Sequence, residues 1–246
     1  MDTPSWTNDV GNLISISGDN QSDDGVELNI TGNDRGSLGI EVLDGLEAAT
    51  GSEIAGSGKY NVDTVIEVGT GGADLTSATL SEIDEIDLDN GDLSLTAAQV
   101  EGFADDVAFS QAGTENVNLE VGSSDVDISD NTTVKDVLGE VDFQDNDVKL
   151  TMTAAQHNAA AFDAVNATDA TIAFTDAVNT AGDTDVGKYI LGDVGTNTNP
   201  FTISATDQEV VGGTGNDSIT FANATTDATI DLGGGTTDSV TFSGTG

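Results

Sequence analysis

The sequence predicts an all-β fold, a parallel β-solenoid or β-roll of short strands with a few short helices at the coil corners. Apolar residues recur along the 246 residues as doublets with one polar residue between them. Turns rich in Gly, Asn and Asp separate the doublets. Near the end, Gly212-Gly213-Thr214-Gly215-Asn216-Asp217-Ser218-Ile219 is echoed by Gly233-Gly234-Gly235-Thr236-Thr237-Asp238-Ser239-Val240, so that Asp217 is answered by Asp238. Alternation turns one face of a short strand inward and leaves the Asp, Glu, Ser, Thr or Asn between outward. Strands this brief bury too little alone and must stack on copies of themselves to share a thin core.

Residues 1–60 hold the doublets Ile14/Ile16, Val26/Leu28/Ile30 and Ile40/Val42, then a Gly/Ser-rich exit from Gly51-Ser52 to Gly56-Ser57-Gly58. Residues 61–178 read as a helix-punctuated solenoid. Its doublets are Ile66/Val68, Ile86/Leu88, Leu93/Leu95, Val107/Phe109, Val117/Leu119/Val121, Val126/Ile128, Val141/Phe143, Val148/Leu150/Met152 and Ile172/Phe174. Turns such as Asp89-Asn90-Gly91-Asp92 and Asp145-Asn146-Asp147 use residues that tolerate left-handed angles and bond their own main chain. Thr96-Ala97-Ala98-Gln99 recurs further on as Thr153-Ala154-Ala155-Gln156. Each fits a capping box, the Thr hydroxyl accepting from the N3 amide while the Gln reaches back. Helices are therefore expected over about 97–103 and 154–165, as corners covering the end of the core. Residues 179–200, polar and turn-rich, read as a linker or bulge. In 201–246 the pairs Phe201/Ile203, Ile219/Phe221, Ile230/Leu232 and Val240/Phe242 follow, the last three at nearly even steps. Two strands and two turns then make one coil, which runs from Asp217 to Asp238.

The chain carries 45 acidic residues against five basic ones, a formal charge of −40. Such a surface repels nucleic acid and anionic lipid, and neither is expected as a partner. Two carboxylates about 5 Å apart on neighbouring strands repel by about 0.8 kcal/mol even in water. Screening or bound divalent cations must offset many such contacts. There is no cysteine, hence no disulfide or thiolate metal site. No apolar run is long enough to span a membrane, and no signal-peptide pattern is present at Met1-Asp2-Thr3-Pro4-Ser5-Trp6. His157 is the only histidine, expected to face solvent on its helix. No zinc set or Ser-His-Asp constellation can be assembled around it, so the reading is not an enzyme.

The segment from Gly212 fits the nonapeptide pattern G-G-x-G-x-D-x-U-x without mismatch. Calcium takes six to eight oxygens at about 2.3–2.6 Å, and a glycine turn exposes carbonyls with no side chains in the way. The two glycine-rich loops are expected to stack, with one ion shared by both carboxylates. The opposite turn, Asn223-Ala224-Thr225-Thr226-Asp227, lacks the glycines.

These C-terminal residues resemble the RTX, or haemolysin-type calcium-binding, repeat family. The middle repeat, Ala78-Thr79-Leu80-Ser81-Glu82-Ile83-Asp84-Glu85-Ile86-Asp87-Leu88 with its Leu-Thr-Ala-Ala-Gln boundary, is similar to segments of RTX-type adhesins and surface-layer proteins. The resemblance implies a parallel β-roll, type I secretion to the cell surface or beyond, and Ca2+ as the cofactor. It also implies ligation by the carbonyls of Gly212, Thr214, Gly233 and Gly235 and by the side chains of Asp217 and Asp238. The coils depart from the family in being longer than two nonapeptides, and Thr236 stands where the pattern has glycine. The expectation is a structural segment of a surface layer, adhesin stalk or filament that stiffens and self-associates on binding calcium, with cell-surface polysaccharide as a further partner. The alternative is a glycan- or protein-binding module of an adhesin or phage particle.

Overall fold

The computed structural model describes residues 6–8, 12–17, 29–31, 38–43, 46–48, 51–55, 64–89, 91–103, 107–193, 195, 198–222 and 227–243. The Val26/Leu28 strand, Gly56–Gly58, residues 223–226 and the last three residues lie outside them. Among the described residues the fold is mostly parallel β, about eight stacked turns forming a β-solenoid with two short α-helices. The chain divides into two compact units, 1–120 with 131–139, and 121–130 with 140–246.

In the first unit the strands Asn12–Ser17, Leu38–Leu43, Thr64–Val68, Glu85–Leu88 and Ala108–Gln111 lie side by side in parallel. Trp6–Asn8 pairs antiparallel with the first of them. A second sheet takes Leu46–Glu47, Ala73–Asp74, Leu93–Thr96 and Val117–Val121, and a third Asn29–Thr31, Glu53–Ala55 and Thr79–Ser81. The register stacks like on like. Ile66, Ile86 and Phe109 form one buried column, and Leu95 lies beside Leu119 in another. Alternating burial along Thr64–Val68 and Val117–Val121 matches the expected period of two. The strands Glu53–Ala55 and Thr79–Ser81 of this third sheet are a finding of the structure. Thr79-Leu80-Ser81 is too short and too polar to show alternation, and it is a strand because its neighbour Glu53–Ala55 supplies the ladder.

In the second unit Val126–Asp127, Lys149–Met152, Thr171–Phe174, Lys188–Ile190, Glu209–Val211 and Thr229–Asp231 form one parallel sheet. Thr180–Ala181, Thr198–Ile203, Asn216–Phe221 and Ser239–Phe242 form another. Residues 179–200 thus contain strands of both sheets. Leu150, Ile172, Tyr189 and Val210 stack as a buried column, as do Phe201 and Ile219. Phe221 stacks on Phe242 with ring centroids 4.7 Å apart, and Phe242 is 73% exposed.

The helix Ala97–Phe103 has the expected bounds. Gln99 N donates to Thr96 Oγ1 (3.1 Å) and Thr96 N to Gln99 Oε1 (2.7 Å), and Thr153 and Gln156 repeat the reciprocal pair. The second helix is shorter than expected, ending at His157 rather than Val165. Residues Asp163–Val165 are instead a strand in register with Glu140–Asp142. Ladder bonds to that neighbour outweigh the helix propensity of the intervening alanines, since helical residues without tertiary packing gain little. His157 is buried, 6% exposed, among Phe162, Phe174 and Tyr189, which corrects the expectation of a solvent-facing side chain. The short helix is seated against the core, so a histidine at its end points inward.

Candidate metal centre

The turn 212–217 is shaped by what glycine permits. A Cβ on Gly212 would press on Asp217 Oδ2 and, at 2.6 Å, on Leu232 O. Gly233, at φ +66, occupies the left-handed region, and a Cβ there would press on the carbonyl oxygens of Gly213 and, at 2.5 Å, of Gly212. Backbone oxygens and a carboxylate oxygen thus crowd the same gap between the turns 212–217 and 232–238.

Parallel pairing sets the acidic residues. Ser218 lies opposite Ser239, so Asp217 and Asp238 enter their strands at the same level of neighbouring coils. One coil earlier that level is taken by Asn199, which lies opposite Asp217. Asp217 and Asn199 are both fully buried, 0% exposed. Asp217 Oδ1 accepts from Asn199 Nδ2 at 2.9 Å, and Asp217 N donates to Asp238 Oδ1 at 3.0 Å. Asp217 Oδ2 meets no donor at hydrogen-bond geometry, and the Gly213 amide is the backbone group near enough to act on the carboxyl. Burial pushes the Asp217 carboxyl above the usual carboxylate range. The Asn199 hydrogen bond opposes this, the Asp238 charge adds to it, the Gly213 amide opposes, and the Asp193 charge adds.

Of the residues expected as ligands, Asp217 and Asp238 are therefore neighbours, and Gly212 and Gly233 face one another across the gap. Gly235 sits so close to Asp238 Oδ1 and Gly215 O that no Cβ fits there. Thr214 is exposed, and its amide donates toward the preceding coil, to Asp193 Oδ1 at 2.6 Å. Asp227, in the glycine-free turn, is exposed with φ +80.

Among the described residues no three His, Asp or Glu side chains converge as a cage. A cation here would draw on carbonyls as well as carboxylates, a hard-oxygen set suited to calcium rather than to zinc. The residues fit such an ion. A buried carboxylate oxygen without a donor costs several kcal/mol unless a charge meets it, and Oδ2 shares its surroundings with Leu232 O.

Asn199, Asp193 and the Leu232 carbonyl were not singled out in the sequence. Their signal is faint: Leu191-Gly192-Asp193 and Asn199 form a degenerate forerunner of Val211-Gly212-Gly213 and Asp217. The step from Asn199 to Asp217 is shorter than the step from Asp217 to Asp238, and an amide stands in place of the acid. No family model, curated protein or solved structure matches the chain. Among the described residues no helix is long and apolar enough to cross a membrane.

Proposed function

We propose that this chain is a structural, calcium-stabilised segment of an extracellular surface protein of RTX type, acting as part of a surface layer, adhesin stalk or filament. The buried, unpartnered Oδ2 of Asp217 carries the reading, because a folded domain tolerates such an atom best when a cation completes it. Asp217 and Asp238 supply charge and the carbonyls around Gly212 and Gly233 supply neutral oxygens. Metal affinity is then folding free energy. Where calcium is scarce the acidic chain stays loose, and where it is abundant ions bridge the turns, offset repulsion and stiffen the coils. Self-association and contact with cell-surface polysaccharide belong to the same reading.

Thermal unfolding in EDTA and in calcium tests it. At a hundredfold excess over Kd one ion adds about 2.7 kcal/mol, which in a chain of this size raises Tm by roughly 5–10 °C. D217N abolishes the gain, and magnesium, which demands stricter octahedral geometry, gives less of it. Equal Tm in EDTA and millimolar calcium sinks the proposal.

One observation favours the binding-module reading. The stacked turns carrying Phe143, Gln144, Asp145, Asn146, Asn166, Thr168 and Asp169 line an open, mostly polar groove of about 500 Å³. Its amides, hydroxyl and carboxylates match the hydroxyls of a neutral sugar better than an anion. A glycan array with wild type and N146A/T168A separates the readings, since a purely structural segment shows no saturable ligand that the variant loses.

A further inference from the structure

Asn199 is fully buried and its side-chain amide is fully engaged. Its Oδ1 accepts from Val178 N at 3.1 Å. Its Nδ2 donates both to Gly192 O at 3.1 Å and to Asp217 Oδ1 at 2.9 Å. The Val178 amide faces an acceptor and the other two partners are oxygens, so only this orientation of the amide satisfies all three. One positively polarised NH2 group therefore sits between a turn carbonyl and a carboxylate of neighbouring coils. The gap one coil later holds the same kinds of oxygen around Asp217 Oδ2, which meets no donor at hydrogen-bond geometry.

The earlier gap also has the other parts of a cation site. A Cβ on Gly213 would meet Asp193 Oδ1 at 2.7 Å and Gly192 O at 2.9 Å, so both oxygens border one small space. Gly192 follows an apolar residue as Gly212 does, and Asn199 stands at the strand level of Asp217.

We propose that the Asn199 NH2 group is a built-in substitute for a cation: it fills the gap between the turns at 192–199 and 212–217, and converting it to a carboxylate opens a divalent-cation site there. The oxygens of that site are the new carboxylate, Asp217 Oδ1, Gly192 O and the Asp193 carboxylate. In the native chain Asn199 thus keeps the ion out of this gap and leaves it to the next one. By holding Oδ1 it also turns Asp217 Oδ2 toward the following coil. This second role rests on the calcium reading given above, whereas the substitution of an amide for a cation does not.

The test counts calcium ions on the full chain by native mass spectrometry and calorimetric titration with CaCl2, for wild type and N199D. N199D is expected to bind one more calcium ion per chain than wild type. In EDTA its unfolding midpoint lies below that of wild type, since two carboxylates then face each other in a buried gap. In calcium the midpoint recovers. An N199D chain that is unfolded in EDTA and folds on adding CaCl2 supports the proposal equally. N199L, with no oxygen to offer, gains no ion. An unchanged ion count in folded N199D overturns the proposal, as does N199D remaining unfolded at saturating calcium. If wild type binds no calcium the proposed function fails, yet one ion gained by N199D still upholds the substitution.

Discussion

At the scale of single residues, His157 and Asp217 are buried titratable groups of opposite consequence. Asp183 N donates to Tyr189 Oη at 2.6 Å, and Tyr189 Oη lies 3.2 Å from His157 Nε2. Thr180 Oγ1 gives its proton to Asn158 and stands 3.5 Å from His157 Nδ1. An imidazole with its proton on Nδ1 and with Nε2 accepting from the tyrosine satisfies all of these groups. A second ring proton would place a positive charge among Phe162, Phe174 and Tyr189, away from water. Burial lowers the His157 pKa to about 4, the Asp183 charge opposing it. Between that value and the ordinary 6.5 the unfolded chain binds more protons, so stability falls as pH drops through this window, by about 3 kcal/mol in all. Urea unfolding at stepped pH should show the slope, and H157F should flatten it. Asp217 works the other way. Its raised pKa means that, without metal, stability falls as pH rises above the ordinary carboxyl range near 3.8. In EDTA, D217N should remove that decline. In calcium the wild-type decline should vanish, because the ion needs the ionised carboxylate.

At the scale of elements, the corners are held by glutamine side chains that reach across to the preceding coil. Gln99 Nε2 donates to Leu75 O (2.9 Å) and Ala78 O (2.7 Å), and Gln156 Nε2 to Ile128 O (2.7 Å). Gln208 Nε2 donates to Val186 O at 3.1 Å and to Asp183 O. Each Gln Oε1 meanwhile takes amides at the start of its own turn. Q156A removes a cap worth about 1 kcal/mol and strands a buried carbonyl at about 1–3 kcal/mol. A loss of about 2–4 kcal/mol in urea unfolding is expected, against under about 0.5 kcal/mol for the surface control Q144A. The local half of this device was legible in Thr-Ala-Ala-Gln, because a capping box is written in consecutive residues. The cross-coil half was not, and Gln208 escaped notice because Ser204-Ala205-Thr206-Asp207-Gln208 carries one extra residue, accommodated by Asp207 at φ +63. Doublets such as Leu93/Leu95 could be read because period two survives in isolation. The strand Asp163–Val165 could not, since it exists through its pairing with Glu140–Asp142. The same division runs through the candidate metal centre: Asp217 lies in a recognisable glycine motif, whereas Asn199 gains its meaning only from the coil stacked beside it.

At the scale of the whole molecule, parallel in-register stacking places the paired strand residues beside their counterparts, for acids as much as for aliphatics. Coils as short as the one from Thr171 to Lys188 and as long as the one from Leu46 to Ala73 keep these contacts between nearest neighbours, so stability adds coil by coil. Inside, the columns through Ile66 and Ile86 or Leu150 and Ile172 attract. On the level between Ile66 and Val68 in the first unit, Glu67 lies opposite Asp87. Like charges directly opposite in a sheet destabilise it, by about 0.8 kcal/mol per pair at about 5 Å in water. With a formal charge of −40, screening by salt should strengthen the fold generally. D87N removes one such contact while leaving the inner columns untouched. In dilute buffer it should raise stability by about 0.8 kcal/mol. In about 1 M NaCl, where the screening length is about 3 Å, that advantage should disappear. Calcium at matched ionic strength separates screening from binding. It should stabilise wild type and D87N alike beyond what NaCl achieves, whereas D217N should respond to the two salts equally. A D87N advantage that persists in high salt would show that the facing acids are not what strains the coil.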